Sequence, residues 1–185
     1  LANSVKKYLD FYGVSSGLKN IIFTNNDSAY ETALSLFEKG ISVKIIDIRK
    51  KSTSNIVKNA EELGIQIFWN STVVNTIGYK KVNSVEIMDL SEDGSNVTGN
   101  IKKIECDCLA ISGGWTPMVH MHTQSGGKLD FREIDQVFVP NEKNENQINV
   151  GSCNGDFELE EIVKNTNNKI KKFLNVNVTD FDRSS

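Results

Sequence analysis

Between residues 20 and 69 the chain alternates strand-like and helix-like hydrophobic spacing, and that alternation constrains the fold more than any other feature. "NIIFT" (20–24) predicts a strand, and residues 28–39 carry helical spacing that runs into Gly40, a C-terminal cap. The second strand, 42–48, is almost continuously apolar at Val43, Ile45 and Ile46, as a strand covered on both faces must be. A second helix, 54–63, sets Ile56, Val57, Ala60 and Leu63 on one stripe and stops at Gly64, and 65–69 predicts a third strand. Strands joined through helices pair in parallel by right-handed crossovers. The segment therefore predicts one half of a doubly wound α/β sheet.

The spacing then changes. Residues 71–111 alternate apolar and polar side chains around the turn signal "SEDGSN", which predicts an antiparallel meander over 73–79, 82–89 and 101–106. "CLAIS" (108–112) is one more apolar strand, halted by Gly113 and Gly114. Residues 115–146 read as loop-rich, 147–150 as a strand, and 157–173 as a helix with Leu159, Ile162, Val163, Ile170 and Phe173 on its apolar stripe. The polar tail "NVNVTDFDRSS" is expected to be loosely held. At the other end, Val5, Tyr8, Leu9 and Tyr12 form a helical stripe that needs a covering surface. With no initiator Met, the chain reads as a piece of a longer one.

Composition removes several function classes. A net charge of -3 gives no electrostatic basis for binding nucleic acid or an anionic membrane. No apolar run approaches the ~18–20 residues of a membrane helix. Three cysteines without CxxC spacing, Cys106, Cys108 and Cys153, read as reduced thiols of a cytoplasmic protein. Cys106 and Cys108 are expected on one face of a strand, and no further ligands accompany them to make a metal site.

Two motifs carry a family resemblance. "DCLAISGGWTP" matches a strand pattern of Asp, four apolar-biased positions, Gly and Pro through Asp107, Gly114 and Pro117; "INVGSCNGD" ends on Gly155 and Asp156. In this respect the chain resembles the pyridine-nucleotide-disulfide-reductase type of flavoprotein, built from two dinucleotide folds. "YLDFYGVSSG", "FTNNDSAYETA", "ISGGWTPMVHMHTQSGGKLDF" and "FVP" narrow it, being similar to the central dinucleotide-fold region of heterotetrameric sarcosine oxidase alpha subunits. The resemblance implies a Rossmann-like three-layer (ββα) fold: a connecting helix from an upstream domain (1–17), an NAD(P)-type domain with its meander (18–112), and a return into the FAD-type domain (113–185). It also implies a complex with beta, gamma and delta subunits and the rest of the alpha chain, oxidising sarcosine to glycine with release of hydrogen peroxide. NAD is expected in the intact subunit, FAD and FMN in the wider complex, and tetrahydrofolate as co-substrate of a domain absent here. No catalytic residue is expected in this stretch.

The nucleotide corner departs from pattern. Thr24, Asn26 and Ala29 stand where a dinucleotide fingerprint carries its glycines, and the second of those glycines exists to let a pyrophosphate reach bare backbone. Asn26 can adopt a positive φ, so a tight turn survives. Ser28 and Glu31 match a capping box, and Asp27 and Glu31 put negative charge at the helix start. Two readings stand: a corner that has ceased to bind, or one in which Asn25, Asn26 and Asp27 still touch the nucleotide. Asp47 ends the second strand, where an acid selects NAD over NADP by holding the ribose; its alternative is a surface ion pair with Arg49. Gly113, Gly114, Trp115, Gly155 and Asp156 are expected near cofactor, Trp115 replacing the family's frequent Arg, with N-capping of the last helix the alternative for Asp156. His120 and His122, on a segment taken as extended, read as packing or hydrogen-bonding groups. Gln124, Gly126, Gly127 and Lys128 form a loop suited to an anion or to subunit docking.

Overall fold

The computed structural model describes residues 1–141 and 147–174, in two compact units that divide after Gly114. The tail expected to be loosely held lies outside the described residues.

The first unit has three layers. Its centre is a parallel sheet in the order β3-β2-β1-β7, formed by β1 (Lys19–Thr24), β2 (Ser42–Asp47), β3 (Gln66–Phe68) and β7 (Cys108–Ser112). On one face lie α1 (Ala2–Tyr12), α2 (Ser28–Glu38) and α3 (Asn55–Glu62), which bury Val5, Leu9, Tyr30, Leu36 and Val57 against Ile22, Ile45 and Ala110. The other face packs Ile21 and Ile46 beneath the antiparallel meander β4 (Ser71–Gly78), β5 (Val82–Leu90) and β6 (Val97–Glu105), through Val85, Ile87 and Ile104. Both faces being dry explains why β2 lacks polar alternation. The expected helices end as their glycines require: Gly40 and Gly64 take φ of 71° and 79°, open to glycine without a Cβ penalty.

Several expectations need correction. Strand β6 begins at Val97 rather than 101, because the "SEDGSN" turn is tighter than its length suggests: Ser91 receives the backbone N–H of Asn96. Of the α1 stripe only Val5 and Leu9 are covered, while Tyr8 and Tyr12 stay exposed and pack on each other at 5.8 Å. Cys106 and Cys108 do not share a face, since the chain breaks strand geometry at 106–107; Cys106 joins the meander core and Cys108 the helical one. Burial and the neighbouring Asp107 push both thiols up.

Asp107 explains its place in the strand motif. Its carboxylate accepts the backbone N–H of Leu18 at 2.9 Å and of Lys19 at 2.7 Å, tying the start of β1 to the start of β7. Gly17 is required beside it, since a Cβ there would collide with Asp107 Oδ1.

The second unit holds a short helix α4 (His120–Gln124), a hairpin of β8 (Leu129–Arg132) and β9 (Val137–Pro140), a 3-10 turn (Gly151–Asn154) and α5 (Leu159–Leu174). The region taken as loop is thus partly regular, and Phe131 and Phe138 pack across the hairpin with ring centroids 5.1 Å apart and planes tilted by 57°. The strand expected at 147–150 does not form. Its groups go to local partners instead: Asn149 Nδ2 bonds His122 Nδ1, and Asn149 O accepts from Lys169 Nζ. No described residue of α5 is buried, so its apolar stripe stands uncovered within the unit. No helix among the described residues is long and apolar enough to cross a membrane.

Burial acts to raise the Asp107 pKa, but its backbone hydrogen bonds outweigh it and hold the group below the usual carboxylate range. A depressed folded value means that this stabilisation is fully present above about pH 4 and is lost as the pH falls through the folded value. Asp107→Ala should cost about 1–3 kcal/mol in urea unfolding at neutral pH. The difference from the parent chain should shrink on acidification.

Candidate functional site

In an open parallel sheet the ligand crevice lies beyond the carboxyl ends of the strands, where the strand order reverses. Here that point falls between β1 and β7, with Thr24 opposite Ser112. The corner after β1 is closed by side chains. The buried Thr24 hydroxyl accepts the Asn26 N–H at 3.1 Å and donates to Asn26 O at 3.0 Å. The Asn26 amide donates to Ser112 O and Oγ, both at 3.2 Å, and its Oδ1 accepts from the Ser28 hydroxyl at 2.6 Å. Asn25 Nδ2 donates to Gly113 O at 3.3 Å. Two carboxamides therefore bridge the crevice that a pyrophosphate would enter.

Asn26 achieves this without positive φ; among the described residues only Asn70 and Gln136 show it outside glycine. The Thr24 hydroxyl, not a left-handed residue, makes the turn. The capping box does not form either. Asp27 occupies the N-cap of α2 with no side-chain cap hydrogen bond, because the Ser28 hydroxyl is turned back to Asn26.

The negative charge at the helix start is answered from within. Arg49 NH1 lies 2.7 Å from Asp27 Oδ1, and the Ser52 hydroxyl donates to the same oxygen at 3.2 Å. Burial acts to raise the Asp27 pKa, but hydrogen bonds from Ser54, Arg49 and Ser52 hold it below the usual carboxylate range.

Asp47 is fully buried, which corrects the expectation of a surface pair. Oδ1 accepts from Arg49 N at 2.9 Å and Nε at 3.0 Å; Oδ2 accepts from the Tyr30 hydroxyl at 2.9 Å and Arg49 NH2 at 2.8 Å. A carboxylate offers about four acceptor positions, and these bonds fill them, leaving none for a ribose hydroxyl. Burial, together with the Asp47 charge, drives the Tyr30 hydroxyl pKa up, so it stays a donor. The Asp47 hydrogen bond raises the Arg49 pKa further and keeps its charge fixed. Beyond β7, Gly114 takes φ of 99°, and a Cβ there would meet Asn25 Oδ1 at 3.9 Å.

The second unit has its own corner. Gly155 takes φ of 79°, and its carbonyl accepts from Arg132 NH2 at 2.9 Å; a Cβ would lie 2.5 Å from that nitrogen. Asp156 follows, with Oδ2 buried and without a hydrogen-bond partner. It does not cap α5: the helix begins at Leu159, and the Ile162 N–H bonds to Glu158 O, which makes Glu158 the first acceptor. Next to it Trp115 packs on Phe157 at 6.3 Å with the rings tilted by 34°.

The histidines lie on a helix, not an extended segment. His122 is buried, with Nε2 2.9 Å from Lys128 O and Nδ1 3.1 Å from Asn149 Nδ2. That pairing places its proton on Nε2 and makes it a packing group, as the sequence suggested. Gly127 lies against the ring, where a Cβ would collide with Nε2. Among the described residues no cluster of three or more His, Cys, Asp or Glu side chains is placed to hold a metal. The groups that sequence reasoning missed are Tyr30 and Ser112, whose roles depend on the register of neighbouring strands.

No family model matches the chain. It is 34 % identical over 160 residues to the sarcosine oxidase alpha subunit of Corynebacterium sp. (strain P-1), covering 85 % of this chain. It is 32 % identical over 155 residues to that of strain U-96, and 30 % identical over 129 residues to that of Rhizobium meliloti (strain 1021). The chain spans 16 % of the length of each corynebacterial relative. In fold it is similar to Lactococcus lactis thioredoxin reductase (TM-score 0.61, 18 % identity, 85 % of this chain and 54 % of that one). Thioredoxin reductase of T. acidophilum gives a TM-score of 0.57 at 22 % identity, covering 85 % and 51 %.

Removing Arg49 strands a buried carboxylate. Arg49→Ala should destabilise the chain by about 3–5 kcal/mol in chemical denaturation, whereas Tyr30→Phe should cost only about 1 kcal/mol. By sequence the chain belongs to the family of sarcosine oxidase alpha subunits, matching one stretch of those longer relatives, and its fold is Rossmann-like.

Proposed function

We propose that this chain serves as dinucleotide-fold scaffold in a cytoplasmic, sarcosine-oxidase-like complex, supplying cofactor-proximal surface and no amine-oxidising side chain. The observation that supports it is the filled corner: Asp47 has no acceptor position left, and Asn25 and Asn26 bond across to β7. A nucleotide does not fit there without breaking those bonds. Asn25, Asn26, Asp27 and Asp47 then hold the end of the sheet closed, and Gly113 and Gly114 let the chain leave β7 beside them.

A flavin-type or nicotinamide nucleotide does fit the chemistry of the second unit. The buried Asp156 Oδ2 needs a donor, which a ribityl or ribose hydroxyl supplies. Trp115 against Phe157 offers a flat apolar wall in the same unit. Within the intact complex, FAD, FMN and NAD would supply the redox chemistry, while Asp156 accepts a hydroxyl and Trp115 excludes water. In this reading the beta, gamma and delta subunits and the rest of the alpha chain complete the assembly. Demethylation of sarcosine to glycine, with hydrogen peroxide released and the one-carbon unit passed to tetrahydrofolate, is the reaction of the whole. The segment alone is inactive.

Calorimetric titration of the 185-residue chain with NADH and with NADPH tests the closed corner. The expected result is no micromolar binding of either that depends on Asn26. Micromolar binding that is lost on Asn26→Trp would instead make the domain a hydride-delivering reductase module and overturn the scaffold reading. Co-purification with a flavoprotein partner subunit, without bound nucleotide, would leave a pure interaction role.

A further inference from the structure

The end of the sheet opposite the closed corner carries a cavity of about 540 Å³. It is bounded by the first residues of β1 and β2, by Phe68, and by 102–105 of β6, all within the first unit. Its charge is one-sided. Lys19, Lys44, Lys102 and Lys103 line it against a single acid, Glu105, in a chain whose net charge is -3.

Two of these lysines are already committed. Lys19 Nζ bonds Glu105 at 2.8 Å, and Lys102 Nζ bonds Asp89 at 2.9 Å. The other two have no hydrogen bond or ion pair among the described residues; Lys103 feels only the longer-range pull of Glu105. Lys44 is the more telling. Its neighbours Val43 and Ile45 pack toward the helices, so Lys44 shares the face of Ile46, beneath the meander, where it is half-buried. Like charges around a concavity with low-dielectric walls focus a positive potential into it.

We propose that this cavity is a binding site for a small dianion, two oxyanion groups of carboxylate or phosphate type engaging Lys44 and Lys103. The volume lies within the ~300–1,000 Å³ range of small-molecule sites. Neither residue touches the nucleotide corner, so the site stands or falls independently of the scaffold reading.

The test is isothermal titration of the 185-residue chain with citrate and, separately, with pyrophosphate, each at ionic strength matched with sodium chloride. Saturable binding is expected for at least one of them, and the tighter of the two identifies the ligand as carboxylate or phosphate. A charge-assisted bond lost in Lys44→Gln should weaken that binding roughly ten- to a hundredfold. Lys50→Gln, outside the cavity, should leave it unchanged. If Lys44→Gln does not fold, Lys103→Gln on the exposed face of β6 carries the same expectation. Absence of saturable heat with both anions, or equal affinity in the parent, Lys44→Gln and Lys103→Gln chains, overturns the proposal.

Discussion

Arg49 is the residue on which the closed end of this sheet depends. A fully buried carboxylate at the tip of β2 is tolerable only with a fixed positive charge against it, and the Arg49 guanidinium supplies that through two of its nitrogens. The same guanidinium reaches Asp27 at the N-cap of α2. One side chain thus joins the second strand to the start of the first crossover helix, across the place where a bound dinucleotide would otherwise provide the charge. Tyr30, donating to Asp47 from inside α2, makes the helix part of the same network and stacks on Trp69 at the far side. Ligand anions at helix N-termini are attracted by the dipole. Here Asp27 supplies the anion from the chain itself.

Much of this was legible in the sequence. Periodicity located each strand of the parallel sheet and the three helices packed on it, because burial on two faces and on one stripe leaves different hydrophobic spacings. Gly40 and Gly64 marked helix ends because few other residues accept their φ. What sequence could not carry was the third dimension of the corner. Asn26 looked like a residue chosen for positive φ, yet its amide was needed for Ser112, which lies 86 positions away and meets it only through strand pairing. Asp47 looked exposed because it ends a strand, and nothing local indicates that Tyr30 lies over it. The strand expected at 147–150 has the right composition but does not pair with the β8–β9 hairpin of its unit, and composition alone does not make a ladder.

The resemblance motifs acquire separate physical meanings. Asp107 works at the opposite end of β7 from Gly113 and Gly114, holding the first residues of β1 by their N–H groups. It is a staple of the scaffold, and its role survives whether or not a nucleotide binds. Gly155 and Asp156 differ in kind: the glycine accommodates Arg132, but the buried carboxylate oxygen beside it has no internal partner. A buried acceptor without a donor costs about 1–3 kcal/mol, and the charge of Arg132 acts on this carboxylate without supplying the missing hydrogen bond to Oδ2. The contrast with Asp47 is direct, since four donors converge on that carboxylate and none reaches this oxygen.

The two ends of the parallel sheet therefore reverse the usual arrangement. In open α/β sheets the carboxyl ends of the strands are free for ligand and the amino ends are filled by connections. Here the carboxyl ends of β1, β2 and β7 are consumed by Asn25, Asn26 and Arg49, while the amino ends of β1 and β2 border a cavity with two uncommitted lysines. The polar groups of a site can be turned inward without disturbing the layers that support it, because those layers are held by Ile22, Ile45 and Val57 on one side and Ile21, Ile46 and Ile87 on the other. Packing and recognition are thus separable in this fold. A Rossmann-like corner without glycines at Thr24, Asn26 and Ala29 can therefore keep the shape of the layers beneath it.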